Sequence, residues 1–149
     1  MVGFSGRLHV TNTATGKLVY TTTLPEENPN IWKRSLLLTD ALFSDILYVR
    51  LFLELPRAYL DYVDIHMNCE DILLNFVVAN KTHLPVVHVH WSNDVISTMD
   101  ISMDFPMEFQ GLHKMRKNYL TERSQCLNDF AEWFHGVPLV STKDVALFN

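Results

Sequence analysis

The chain has 149 residues, 48% hydrophobic and 19% charged, with a formal net charge of −5. That length suits one domain, and the composition is too apolar for a disordered chain. The acidic balance argues against binding a nucleic-acid backbone, which needs a basic surface. No apolar run approaches the roughly 20 residues that cross a bilayer as a helix.

In chain order, Arg7 to Val10 and Lys17 to Thr23 read as strands, joined by the turn-forming residues Thr11 to Gly16. Pro25 to Asn30 is a polar loop, and Ser35 to Thr39 a compact apolar strand. The spacing of Leu42, Phe43, Ile46, Leu47, Val49 and Phe52 predicts a helix over Asp40 to Phe52. Pro56 breaks it and opens a short helix over Arg57 to Val63. Asn68 to Ala79 is the clearest helix, with Cys69, Ile72, Leu73 and Phe76 at helical spacing and a second apolar side that predicts burial. Pro85 to Val89 is a β-branched strand, and Asn93 to Lys114 has no period and reads as a loop. Asn118 to Phe134 returns to helical spacing, and Gly136 and Pro138 end it. The mixture gives an α/β or α+β class.

The two cysteines, Cys69 and Cys126, are compatible with buried thiols or with a bridge. Asn80-Lys81-Thr82 is an N-glycosylation acceptor tripeptide at the expected end of a helix. In Asn68-Cys69-Glu70-Asp71-Ile72 a capping residue precedes a carboxylate by three positions. The local reading is a capping-box variant, Asn68 accepting from the first turn and Asp71 answering it. The positive end of the helix dipole also favours a carboxylate there, as a nucleophile or charge stabiliser needs.

Asp61 to Asn80, with Asn68-Cys69-Glu70-Asp71-Ile72 leading into an apolar helix, resembles the signature of the exostosin-type glycosyltransferases, family 64. Glu122-Arg123-Ser124-Gln125-Cys126-Leu127-Asn128 resembles that family's second block. Met1-Val2-Gly3-Phe4 with His9, and Val137-Pro138-Leu139, are similar to its opening and closing segments.

The resemblance implies a retaining transferase using a UDP-sugar, a UDP-hexosamine or UDP-uronic acid, and a glycan or glycolipid acceptor. It implies a Cys69–Cys126 disulfide, Asp71 as the catalytic carboxylate beside the anomeric carbon, and Glu70 and Arg123 as substrate-binding residues. Such a bridge would bring Asp71 and Arg123 into one region, because each lies close to its cysteine in sequence. The fold implied is the acceptor-side, C-terminal part of a GT-A-type nucleotide-sugar transferase, with a mixed sheet flanked by helices. The donor-binding half and a membrane anchor would lie upstream, leaving apolar surface uncovered on this part. The resemblance implies Mn²⁺ held by an Asp-rich motif of that half, and no Asp-x-Asp triplet occurs in this sequence. By itself the chain is then expected to be inactive, and a truncated, non-catalytic exostosin-like module is the alternative. A Golgi or endoplasmic reticulum lumenal location and a second exostosin-like subunit as partner follow from the same resemblance, and the Asn80 tripeptide fits that location with a glycan.

His88 and His90 share one strand face, and with His83 or Asp94 they form a conceivable metal set, although a half-exposed polar strand face explains them better. Trp32, Trp91 and Trp133 are candidates for stacking on sugar rings, with packing as the simpler reading. No Gly-x-Ser-x-Gly and no glycine-rich phosphate loop is present.

Overall fold

The computed structural model describes residues 1–21, 33–91, 117–143 and 145–148. It is a mixed α/β arrangement with two small sheets. The first has three antiparallel strands: β2 (Gly6–Thr11) lies between β3 (Leu18–Thr21) and β4 (Leu36–Leu37). The second has four strands in the order β5 (Leu42–Phe43), β1 (Val2–Gly3), β6 (Val87–Trp91), β7 (Val145–Phe148). Strand β1 pairs antiparallel with β5 and parallel with β6, and β6 pairs parallel with β7.

Among the described residues four α-helices accompany these sheets: α1 (Ile46–Leu53), α2 (Arg57–His66), α3 (Glu70–Thr82) and α4 (Tyr119–Trp133). Helix α3 is the centre of the core. Ile72, Leu73 and Phe76 are almost wholly enclosed, and Val77, Val78 and Ala79 bury its other side. Helix α4 sets Cys126, Leu127 and Phe130 against it. Phe76 and Phe130 meet edge to face at 5.9 Å between centroids.

Several boundaries depart from the sequence expectation. Asp40 to Phe52 is not one helix: Thr39–Ala41 is a 3-10 turn, Leu42–Phe43 is strand β5, and only Ile46–Leu53 is α-helical. Asp45 caps that helix, its carboxylate accepting from the Leu47 N–H at 2.8 Å. Helix α2 runs on to His66, past the expected end at Val63. Helix α3 starts at Glu70 and continues to Thr82, where His83 closes it in a left-handed conformation. The acceptor tripeptide at Asn80 therefore lies inside the last helical turn, with Asn80 exposed and the Thr82 hydroxyl donating to the Val78 carbonyl. The strand expected over Ser35 to Thr39 shortens to two residues, and the one over Pro85 to Val89 shifts to Val87–Trp91. The Pro25 to Asn30 and Asn93 to Lys114 loops lie outside the described residues.

Helix α1 buries no residue fully. Phe43 is 71% exposed, and Ile46 and Leu53 are also open to the outside. No described helix is long and apolar enough to cross a membrane.

Candidate functional site

The turn between α2 and α3 sets the site. Met67 (φ 46°) and Cys69 (φ 74°) both take left-handed backbone conformations around Asn68. Each strains a non-glycine residue by order 1–3 kcal/mol, so its surroundings must hold it. The Cys69–Cys126 disulfide does so, tying the start of α3 to the middle of α4 with Cα atoms 6.4 Å apart. Asn68 adds a second hold: its side-chain Oδ1 accepts from the Cys69 N–H at 2.8 Å and from Arg123 Nη1 at 3.1 Å.

The capping box does not form. Cys69, not Asn68, occupies the cap position, and it makes no side-chain cap bond. Asp71 turns inward instead. Its Oδ2 accepts from Arg123 Nη2 in a buried ion pair, and its Oδ1 accepts from the Ile72 N–H at 2.9 Å. Asp71 is 3% and Arg123 2% exposed.

Arg123 reaches that position by helical spacing. It shares the inward stripe of α4 with Cys126, Leu127 and Phe130. A guanidinium at a core-facing position needs a full set of partners. Besides Asp71 and Asn68, Arg123 Nη1 donates to the Tyr119 hydroxyl at 3.2 Å. The Tyr20 ring lies 4.3 Å beneath the guanidinium carbon and the Tyr119 ring 5.4 Å away. Such cation–π contacts are worth about 2 kcal/mol where water is excluded. Burial works against the charge on Arg123, but Asp71, Tyr20 and Tyr119 together outweigh it and raise the proton affinity of the guanidinium. Burial pushes the Tyr20 phenol up to about 12, with Arg123 opposing and Asp71 adding to the rise.

Two donors in this cluster have no hydrogen-bond partner among the described residues: Arg123 Nε and Asn68 Nδ2. Glu70 stands next to them at the exposed start of α3, with Thr39 Oγ1 at the 3.5 Å limit of a hydrogen bond to its carboxylate. The fold thus brings together Asp71, Arg123 and the disulfide, leaves Glu70 at the surface beside them, and sets Asn80 apart at the far end of α3.

Sequence reasoning missed Tyr20 and Tyr119 as parts of the site. Tyr119 was within reach of a helical argument, four positions before Arg123 on one face. Tyr20 arrives from a distant strand, and no local pattern points to it. His88 Nε2 lies 2.9 Å from the Phe4 carbonyl inside the fold, while the His90 side chain and Asp94 lie outside the described residues. Among the described residues no three His, Cys, Asp or Glu side chains gather to hold a metal ion. Trp133 stacks on Tyr59 at 4.3 Å and packs on Phe130. The side chains of Trp32 and Trp91 lie outside the described residues.

The family model described as the glycosyl transferase family 64 domain matches residues 1–148. Exostosin-2 of Homo sapiens is 33% identical over 140 residues, covering 93% of this chain and 18% of the relative. Exostosin-1b of Danio rerio is 34% identical over 119 residues, covering 77% of this chain and 15% of the relative. Exostosin-1 of Bos taurus is 28% identical over 153 residues, covering 100% of this chain and 19% of the relative. The chain spans less than a fifth of the length of these curated relatives. With its model matched over nearly every residue, the chain belongs to the glycosyltransferase family 64, the exostosin-type domain family.

Proposed function

We propose that this chain forms the acceptor-side part of a GT-A-type glycosyltransferase domain that moves a sugar from a UDP-hexosamine or UDP-uronic acid to a glycan or glycolipid with retention. The observation that carries this reading is the enclosed Asp71–Arg123 pair with two unpartnered donors, Arg123 Nε and Asn68 Nδ2, beside it. A buried donor without an acceptor is costly, and sugar hydroxyls or carboxylates supply acceptor oxygens.

In this reading Asp71 faces the anomeric carbon, as nucleophile or as support for an oxocarbenium-like state. Glu70, exposed one residue earlier, binds the donor sugar. Arg123 has two tasks: it pairs with the Asp71 carboxylate, and it lines the sugar pocket. Both Asp71 oxygens are engaged in the closed arrangement, so a bound sugar must draw the guanidinium partly away from Oδ2. In this reading a donor-binding part would hold the diphosphate and Mn²⁺, which would offset the phosphate charge. The uncovered apolar residues Phe43, Ile46 and Leu53 support a further body of chain, or a second exostosin-like subunit, resting on that face. The disulfide supports an oxidising compartment, the lumen of the endoplasmic reticulum or Golgi, where a glycan on exposed Asn80 is also accessible to the modifying enzymes.

The test is UDP-sugar hydrolysis and transfer, measured on this chain, on the chain joined to a donor-binding half, and on Asp71→Asn in the joined protein. Turnover is expected in the joined protein alone, and undiminished turnover by Asp71→Asn ends the catalytic assignment. The deep burial of Asp71 favours one other reading, an exostosin-like module that binds glycans without transferring them. Glycan binding with no turnover in the joined protein would establish it.

A further inference from the structure

Among the described residues, the edge of β3 away from β2 is closed by side chains of helix α4. Ser124 Oγ accepts from the Tyr20 N–H at 3.0 Å. Asn128 Oδ1 accepts from the Leu18 N–H at 3.0 Å, and its Nδ2 donates back to the Leu18 carbonyl at 2.8 Å. The two spacings match: four residues of helix rise about 6 Å and two residues of strand about 6.8 Å. Helix α4 therefore reads β3 two residues at a time, and in doing so fixes the height of Tyr20 against its own Arg123, one residue before Ser124. Tyr20 is 4% exposed, and its ring covers one face of the guanidinium at 4.3 Å.

We propose that Tyr20 is a positioning residue for the Asp71–Arg123 pair, its ring holding the guanidinium in the plane that meets Asp71 while Ser124 and Asn128 hold the strand that carries it. This rests on the transferase reading for its catalytic consequence and on the geometry alone for the hold itself. Three contacts on two edge nitrogens, Asp71, Asn68 and Tyr119, leave the guanidinium free to rock about its long side chain. A ring against its flat face removes that freedom. The clasp also explains why both hydroxyl and amide side chains follow Arg123 on the same helix face, at positions 124 and 128.

The experiment joins a spectroscopic arm to a kinetic one. Nuclear magnetic resonance of the ¹⁵N-arginine-labelled 149-residue chain reads the Arg123 guanidinium, assigned by its loss in Arg123→Lys. In the wild type its protons are expected upfield, under the Tyr20 ring current, with slow rotation about the Cζ–Nη bonds. Tyr20→Phe keeps both signatures, and Tyr20→Leu loses both while the disulfide and helix content persist. In the protein joined to its donor half, Tyr20→Leu lowers kcat about tenfold or more with little change in KM, and Tyr20→Phe restores it. An Arg123 signal without upfield displacement in the wild type overturns the proposal, whether or not Tyr20→Leu folds. So does an unchanged signal in folded Tyr20→Leu. If the wild type turns nothing over while the signals move as stated, the transferase reading fails and the hold of Tyr20 on Arg123 stands.

Discussion

Asn75 on α3 pairs with the backbone of Leu37 on β4 as a neighbouring strand would. Its side-chain oxygen accepts from the Leu37 N–H at 3.0 Å, and its nitrogen donates to the Leu37 carbonyl at 2.7 Å. The same nitrogen reaches the Asp71 carbonyl, also at 2.7 Å. Asn75 is 1% exposed, so nothing replaces these bonds when it is removed. Asn75→Leu is expected to destabilise the fold by about 2–5 kcal/mol, the cost of stranding buried polar groups. Urea unfolding of the two proteins checks this, and a midpoint within error of wild type contradicts it.

The Asp71–Arg123 pair gives a second expectation. Removing one member leaves a buried charge uncompensated, so Asp71→Asn should lower stability by about 3–5 kcal/mol. The double variant Asp71→Leu with Arg123→Leu should lose less than the sum of the two single leucine variants, because neither charge is then left alone. Strict additivity in a thermal or denaturant cycle would remove the coupling on which the site reading depends.

Both cysteines of the bridge are almost fully enclosed, with Cys69 at 0% and Cys126 at 1% exposure. A reductant added to the native chain is expected to leave the bond intact, and the same reductant in denaturant to release two thiols. Cys126→Ala should cost roughly 4 kcal/mol by loop closure between cysteines 57 positions apart. It should also free the Arg123 contact. Thiol counting with and without denaturant decides the first point.

His9 supplies a pH dependence. Its Nδ1 lies 2.8 Å from Ser35 Oγ, and its backbone N–H donates to that hydroxyl at 3.1 Å. Burial lowers its proton affinity below the ordinary value of 6.5. As pH falls through 6.5, the unfolded chain takes up the proton first, so the stabilisation is complete above that value and is lost below it. Wild type should therefore lose more stability than His9→Asn between pH 7.5 and 5.5. Parallel curves for the two proteins over that window would contradict this.

The acceptor tripeptide at Asn80 presents an exposed side chain in the final turn of α3. Expressed through a eukaryotic secretory route, the chain is expected to carry one glycan there, seen as a mobility shift that Asn80→Gln and glycosidase both abolish. A secreted, disulfide-bonded chain of unmodified mass would withdraw the modification.

What the sequence determined by itself was the identity of its long elements and the blocks that carry the family likeness. Helices α3 and α4 repeat an apolar stripe over several turns, and a hairpin is marked by Asn12 and Gly16. Asp71, Arg123, Cys69 and Cys126 were legible because the two matching blocks hold them at short, fixed distances along the chain. Tertiary structure alone decided the rest. Strands β1 and β5 are two residues each, too short for any period, and exist because their backbone groups find partners on β6 and on each other. Asp71 reads locally as a cap, but it turns inward because the disulfide delivers a buried guanidinium to it, and that charge attracts it more strongly than a helix end does. Tyr20 joins the site across 103 positions of sequence, a contact set by the packing of a strand edge on a helix.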